Sequence, residues 1–522
     1  MQYILGIDIG TSSAKASLFC ENGTLVSSGT DSYETYYPGK LHVEQDPEQW
    51  WTATVNAINQ VFLGFKINTG DSIAGLSISS QSPSLVALDK HGQVIRPAMI
   101  WMDRRAESEC EWIVNEIIGI DRYQDILGNK PDAFYTLPKL MWYRKNEPEN
   151  FKKTAMILQA NGYIAYKLTG VYSIDTFQAI NVQAMDHKTK TWSGELSNLL
   201  DISFDEILPK ISKATDVIGT VTQKAASATG IKEGTPVVAG ITDSMAAIFG
   251  MGLFSPGSSC EITGTSTLVC IASETALSNG GSLQIKPSIV PGIGSYLVAP
   301  ISSTGASVKW CADLLGLNEN ANNTSQIDID YMYNEINREA KNAICGSRGL
   351  FFFPYLTGER APLWNSYSKG MFIGLTLKTE KKDIIRAVYE GTSYAVRHVY
   401  DEAKKIGCVP NVIYSGGGGS KSDIWLNIKA SVLDRELLVP DGNADNSVRG
   451  NAVIAGIASG LYSDIHDAGE GIIKIKKTIE PNPTWVKTYN ELYPYYRSLY
   501  TSLEPDLIRL EKTIFHLDTL QP

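Results

Sequence analysis

The sequence predicts an α/β protein of two domains flanking a catalytic cleft, on three observations. The chain has 522 residues, more than one hydrophobic core ordinarily serves, so two domains of roughly 250 residues are expected. It opens with a strand, a polar turn and a second strand: Tyr3 to Ile9, Gly10-Thr11-Ser12, then Ala14 to Cys20. The same succession returns 254 positions later, with Gly264-Thr265-Ser266 between Glu261-Ile262-Thr263 and Thr267 to Cys270. Two such hairpins, one per half, point to a duplicated domain whose turns face each other. Gly-Thr-Ser is also a common turn tripeptide, so chance recurrence is the alternative.

The elements follow in order. Glu21-Asn22-Gly23 is a hairpin signal leading to a third strand, Thr24 to Ser28. Trp51, Val55, Ile58, Val61 and Phe62 recur at helical spacing between Trp50 and Phe65. Ala74 to Ser79 and Leu85 to Asp89 read as further strands. A meander followed by alternating helices and strands suggests a mixed sheet. The turn-rich run Phe254 to Ser259 marks a boundary, giving domains of residues 1–253 and 254–522. In the tail, Trp485, Tyr489, Leu492, Tyr493, Tyr496 and Tyr500 have the spacing of a packing helix, interrupted at Pro494.

Composition excludes several classes. A net charge of -10 argues against a nucleic-acid partner, which calls for a basic face. Seven scattered cysteines without a Cys-x-x-Cys pair argue against a disulfide framework or a zinc site. The first residues read as a strand with no basic leader, and no apolar run is long enough to span a bilayer. No membrane association and a cytoplasmic location are expected, with a homodimer as the base rate for soluble enzymes.

Phosphoryl transfer needs backbone donors for phosphates, a carboxylate for Mg²⁺ and a base for the acceptor hydroxyl. Both turns, Gly10-Thr11-Ser12 and Gly264-Thr265-Ser266, suit the first task, because successive N–H groups form an anion-binding nest. Asp8, at the end of the first strand, is placed to hold Mg²⁺ directly or through water; capping the turn is its plainer role. Asp243 follows an apolar strand ending at Gly240 and opens a helix. There it is either a helix cap or a catalytic base. Gly416-Gly417-Gly418-Gly419-Ser420-Lys421 is not a P-loop, since Ser420 stands where glycine must precede the lysine. It reads instead as a strand-to-helix turn suited to an adenine or ribose lying on backbone. No dinucleotide fingerprint, His-Glu-x-x-His or Gly-x-Ser-x-Gly pattern is present.

These segments together resemble the FGGY family of carbohydrate kinases, nearest to its xylulokinase-like members. The resemblance rests on Gly6-Ile7-Asp8-Ile9-Gly10-Thr11, Val43 to Trp51, Ile100 to Ala106 and Gly240-x-x-Asp243. It continues in Gly358-Glu359-Arg360-Ala361-Pro362 with Gly370, Gly374, Arg386 and Glu390, and in Gly416 to Ser420 with Trp425 and Asn427. It implies two actin- or hexokinase-like (ribonuclease H-like) domains, ATP and Mg²⁺ as cofactors, and Asp243 as catalytic base. Gln81, Ser82, Trp101, Asp103, Arg104 and Asp243 are then the expected sugar contacts. Gly10, Thr11, Ser12, Gly264, Thr265, Ser266, Gly417, Gly418, Ser420 and Asn427 are the expected nucleotide contacts. A ketopentose such as xylulose or ribulose is the expected substrate, with a polyol (erythritol, glycerol) or a sugar acid (gluconate) as alternatives. A non-sugar ATPase of the actin-like fold is the more distant rival. Ser82-Pro83 departs from the pairs found after this glutamine in xylulokinases and glycerol kinases, Asn161-Gly162 from the usual mid-domain start, and Asp445 to Ala452 from the usual Ala-rich run.

Overall fold

Every residue from Tyr3 to Ile9 is buried in the first strand, Gln2–Ile9, as expected of a strand covered on both faces. It pairs antiparallel with Ser13–Cys20, which pairs antiparallel with Leu25–Ser32, and its other edge runs parallel to Ser72–Ser80. The computed structural model describes residues 1–277, 279–288, 290–317, 326–442 and 445–520. They divide into two units, Met1–Gly250 with Asn443–Ile473, and Met251–Gly442 with Lys474–Pro522.

The first unit's sheet has the order Val217–Thr220, Pro236–Val238, Ser72–Ser80, Gln2–Ile9, Ser13–Cys20, Leu25–Ser32, with Ile241–Thr242 also on Ser72–Ser80. The second unit repeats the pattern. Ser295–Ile301, Thr267–Ser273 and Ser258–Thr263 form an antiparallel meander, and Val412–Gly416 runs parallel to Ser258–Thr263. Three antiparallel strands followed by a parallel neighbour, twice over, is the duplicated architecture the two Gly-Thr-Ser turns announce.

The division between units differs from the sequence boundary in one respect. It falls at Gly250–Met251, but Asn443–Ile473 packs with the first unit, where the sequence reading assigned it to the second domain. The helix Asn446–Ala458 lies on the first strand so closely that a Cβ on Gly6 would come 2.2 Å from Val448 O. Only glycine permits that approach. Helix spacing alone does not reveal which sheet a helix covers.

The tail also differs. One helix, Pro483–Leu520, runs through Pro494 without interruption. Tyr489, Tyr493, Tyr496 and Tyr500 are buried along it, and Tyr496 stacks on Phe353 with ring centroids 4.6 Å apart. Burial of these rings compensates for the backbone hydrogen bond that proline forfeits. Among the described residues, no helix is long and apolar enough to cross a membrane.

Candidate active site

The first turn is held from beneath. Gly10 N–H donates to Ser13 O at 3.0 Å, and the Tyr33 hydroxyl donates to Gly10 O. Asp8 is buried, with its Oδ1 accepting from Ser79 Oγ at 2.6 Å. Its Oδ2 lies 3.8 Å from where a Cβ on Gly10 would sit, so that oxygen faces the turn. Burial, with the Asp445 and Asp243 charges adding to it, pushes the Asp8 carboxyl up to about 7; the Ser79 hydrogen bond and Lys15 oppose the rise. A buried carboxylate in that state gains from a cation. Among the described residues, no group of three or more His, Cys, Asp or Glu side chains could hold a metal ion. A buried carboxylate facing a polar turn is a donor that a hydrated Mg²⁺ would fit.

Asp243 opens the helix Asp243–Gly250. The capping role falls to its neighbour, since Thr242 Oγ1 accepts from Met245 N at 3.4 Å. Asp243 Oδ1 takes only the adjacent Ser244 N–H, at 2.6 Å, and the residue is partly open to solvent. The protein around it is nonetheless dense enough that burial pushes its carboxyl up to about 6; the Asp445 charge adds, while the Ser244 N–H and Lys15 oppose. A carboxylate free of capping, exposed on one side and titrating near neutrality has the properties of a general base.

A glutamine relay sits beside the turn. Gln45 Oε1 accepts from Trp50 Nε1 at 2.9 Å and from Gln81 Nε2 at 2.7 Å, and Gln45 Nε2 donates to Thr11 O at 2.6 Å. These bonds fix the Gln81 amide and leave its buried Oε1 without a hydrogen-bond partner among the described residues, an acceptor suited to a ligand hydroxyl. Trp101, 38% exposed, donates from Nε1 to Thr11 Oγ1 at 3.1 Å. Ser82 donates to Gln178 Oε1 at 2.6 Å and accepts from Asn181 Nδ2 at 2.9 Å. Gln178 and Asn181 were not foreseen from sequence, because only their meeting in space marks them, and Gln45 figured there only as part of the Val43 to Trp51 segment.

Asp103 and Arg104, expected at the sugar, are both engaged within the protein. Asp103 is fully buried, its carboxylate taken by Val43 N–H and by the Arg105 guanidinium. It ties the loop that carries Trp101 to Val43 and Arg105. Arg104 is half-exposed but pairs with Asp132 and Glu107.

The second unit contains a cavity of about 890 Å³, lined by Gly264, Thr265, Trp310, Tyr333, Asn337 and Gly419, among others. That size suits a nucleotide. The second turn closes it: Gly264 N donates to Ser266 O at 2.8 Å, and Ala306 N, at the start of the helix Thr304–Leu314, donates to Thr265 O at 2.9 Å. A helix N-terminus against this turn favours phosphate. Gly418 also lines the cavity, but Gly417, Ser420, Ser266 and Asn427 do not. Asn427, expected at the nucleotide, instead donates to Asp423 O one turn back at 2.7 Å. The aromatic walls come from Trp310, Tyr333, Tyr389 and Trp425, with Tyr389 and Trp425 stacked at 5.0 Å.

These parts, carried on a duplicated ribonuclease H-like sheet, define a phosphotransferase of the actin and hexokinase fold. The model of the FGGY carbohydrate kinase N-terminal domain matches residues 3–250, and that of the C-terminal domain matches residues 261–459. The chain belongs to the FGGY family of carbohydrate kinases, so it is a sugar phosphotransferase with ATP as phosphoryl donor. It is 29% identical to a xylulose kinase of Staphylococcus xylosus, over 96% of this chain and 100% of that one. A gluconokinase of Bacillus subtilis strain 168 is 28% identical, over 96% of each chain. A crystal structure of a xylulose kinase from Rhodospirillum rubrum matches with a TM-score of 0.84 at 27% identity, covering 97% of this chain and 99% of that one.

Proposed function

We propose that this chain transfers the γ-phosphoryl group of ATP to a hydroxyl of an uncharged ketopentose, of the xylulose or ribulose class. The observation that carries the reading is Asp243, a carboxylate relieved of capping by Thr242 and titrating at about 6. At neutral pH it is ionised and able to take the proton of the acceptor hydroxyl. The apolar face of Trp101 meets the carbon skeleton, and the unpartnered Gln81 Oε1 accepts from a sugar hydroxyl. The nucleotide lies in the cavity of the second unit, its base among the aromatic walls and its phosphates toward Gly264, Thr265 and the Thr304–Leu314 helix. Asp8 would hold Mg²⁺, directly or through water, and the ion when bound would spread the charge that develops on the phosphoryl oxygens.

A sugar acid is the second reading, favoured by the gluconokinase relative. Its carboxylate would need a cation, because an unpaired buried charge is costly. Arg104 is engaged by Asp132, and Arg105 by Asp103 and Glu44, which favours the uncharged substrate. The test is ADP release at saturating Mg·ATP over ketopentoses, tetritols, pentitols, glycerol and gluconate. The highest kcat/KM is expected for a ketopentose. A higher value for glycerol, gluconate or erythritol than for every ketopentose would overturn the substrate, and no sugar-dependent ADP release would overturn the kinase.

A further inference from the structure

Asn451, on the helix Asn446–Ala458, is fully buried against the sheet of the first unit. Its amide engages three groups. Nδ2 donates to Ile7 O and to Ser79 Oγ, each at 2.7 Å, and Oδ1 accepts from Ser77 Oγ at 3.1 Å. Ser79 Oγ in turn reaches Asp8 Oδ1 at 2.6 Å. Ser77, Ser79 and Asn451 are wholly inaccessible, and Asp8 is 3% exposed.

The direction of the hydrogens follows from chemistry. An amide NH₂ only donates, so the Ser79 oxygen must accept from Asn451. Its single hydroxyl hydrogen is then available to Asp8 Oδ1. The same Nδ2 group holds Ile7 O, the carbonyl immediately before Asp8. Asn451 thereby constrains Asp8 from two sides, through the backbone that carries it and through the hydroxyl that grips one carboxylate oxygen. In a buried network each such bond is stronger than in water, and losing one leaves its partner unsatisfied.

We propose that Asn451 is a positioning residue for phosphoryl transfer: it commits the Ser79 hydroxyl to Asp8 Oδ1, so that Asp8 Oδ2 stays turned to the Gly10 turn. Asn451 itself touches neither sugar nor nucleotide. The inference rests on the reading that Asp8 serves Mg·ATP.

The test is a cycle of Asn451→Ala, Ser79→Ala and the double variant. Two quantities are read: kcat/KM for Mg·ATP at saturating sugar, and calorimetric affinity for the Mg complex of a non-hydrolysable ATP analogue. Each single variant should lose about tenfold in kcat/KM, the scale of one hydrogen bond to a charged group, and weaken the analogue. The double variant should be no worse than the worse single, with the sugar KM within about twofold of wild type. If Asn451 only fills space and holds the helix, the two losses multiply and the sugar KM moves with them; that result overturns the proposal. Should Asn451→Ala fail to fold, Asn451→Ser retains a small donor and carries the same cycle. Wild-type chain that neither binds the analogue nor releases ADP with any sugar would overturn the kinase reading and this proposal together, whereas multiplicative losses in an active enzyme overturn the proposal alone.

Discussion

Lys15 Nζ meets Asp445 Oδ2 at 2.7 Å, joining the second strand to the residue that caps the Asn446–Ala458 helix. Lys15 also stands opposite Asp8 in the hairpin register. Its charge lowers the carboxyls of both Asp8 and Asp243, while that of Asp445 raises them. Lys15→Met leaves Asp445 unbalanced, so the acid limb of the kcat–pH profile should move to higher pH. Asp445→Asn should move it to lower pH. Profiles unchanged in both variants would show that this pair does not tune the base.

Asp243→Asn should fold normally, keep sugar binding and lose at least about a hundredfold in kcat, as expected for a missing general base. In wild type the active form is the ionised one, so kcat should rise with pH through about 6 and level above it. A folded variant of near-normal turnover would remove Asp243 from the mechanism.

Asp8 has the opposite consequence for stability. Its carboxyl sits at about 7 when folded against an ordinary 3.8, so the folded state binds the proton more tightly. Its ionisation therefore removes stability progressively as pH rises from about 4 to 7, and removes none at lower pH. Asp8→Asn should raise Tm of the ligand-free protein at pH 8, with the gain vanishing at pH 4, while use of Mg·ATP falls. Equal Tm values at pH 8 would contradict the linkage.

Gly305 lies where the Thr304–Leu314 helix meets the second turn, and a Cβ there would come 1.9 Å from Gly264 O. Gly305→Ala must push the helix off the turn. The expected result is a KM for ATP raised about tenfold or more, with the sugar KM within about threefold. A sugar KM that rises equally would show a general loss of structure.

The sequence announces those parts whose signals are contiguous. Each Gly-Thr-Ser hairpin is one contiguous run, Gln2 to Cys20 and Ser258 to Ser273, and the Gly240–Asp243 junction combines a strand end with a helix start. Other features depend on distant meetings. The aromatic walls of the cavity come from separate helices, so Trp310, Tyr333 and Tyr389 share no local motif. Asp103 reads as a sugar contact because its loop does; its burial and its bond to Arg105 depend on a fold the loop sequence does not show. Pro494 reads as a break because local propensity carries no information about the tyrosines that hold its helix in place.

The return of Asn443–Ile473 to the first unit also sets the order in which the protein can be made. When Gly250 leaves the ribosome, the sheet above Gly6 still lacks its covering helix. That apolar face stays open while Met251–Gly442 and then the covering segment are synthesised, roughly ten to forty-five seconds at ordinary elongation rates. The amino-terminal half is thus the first to emerge and cannot be the first to finish.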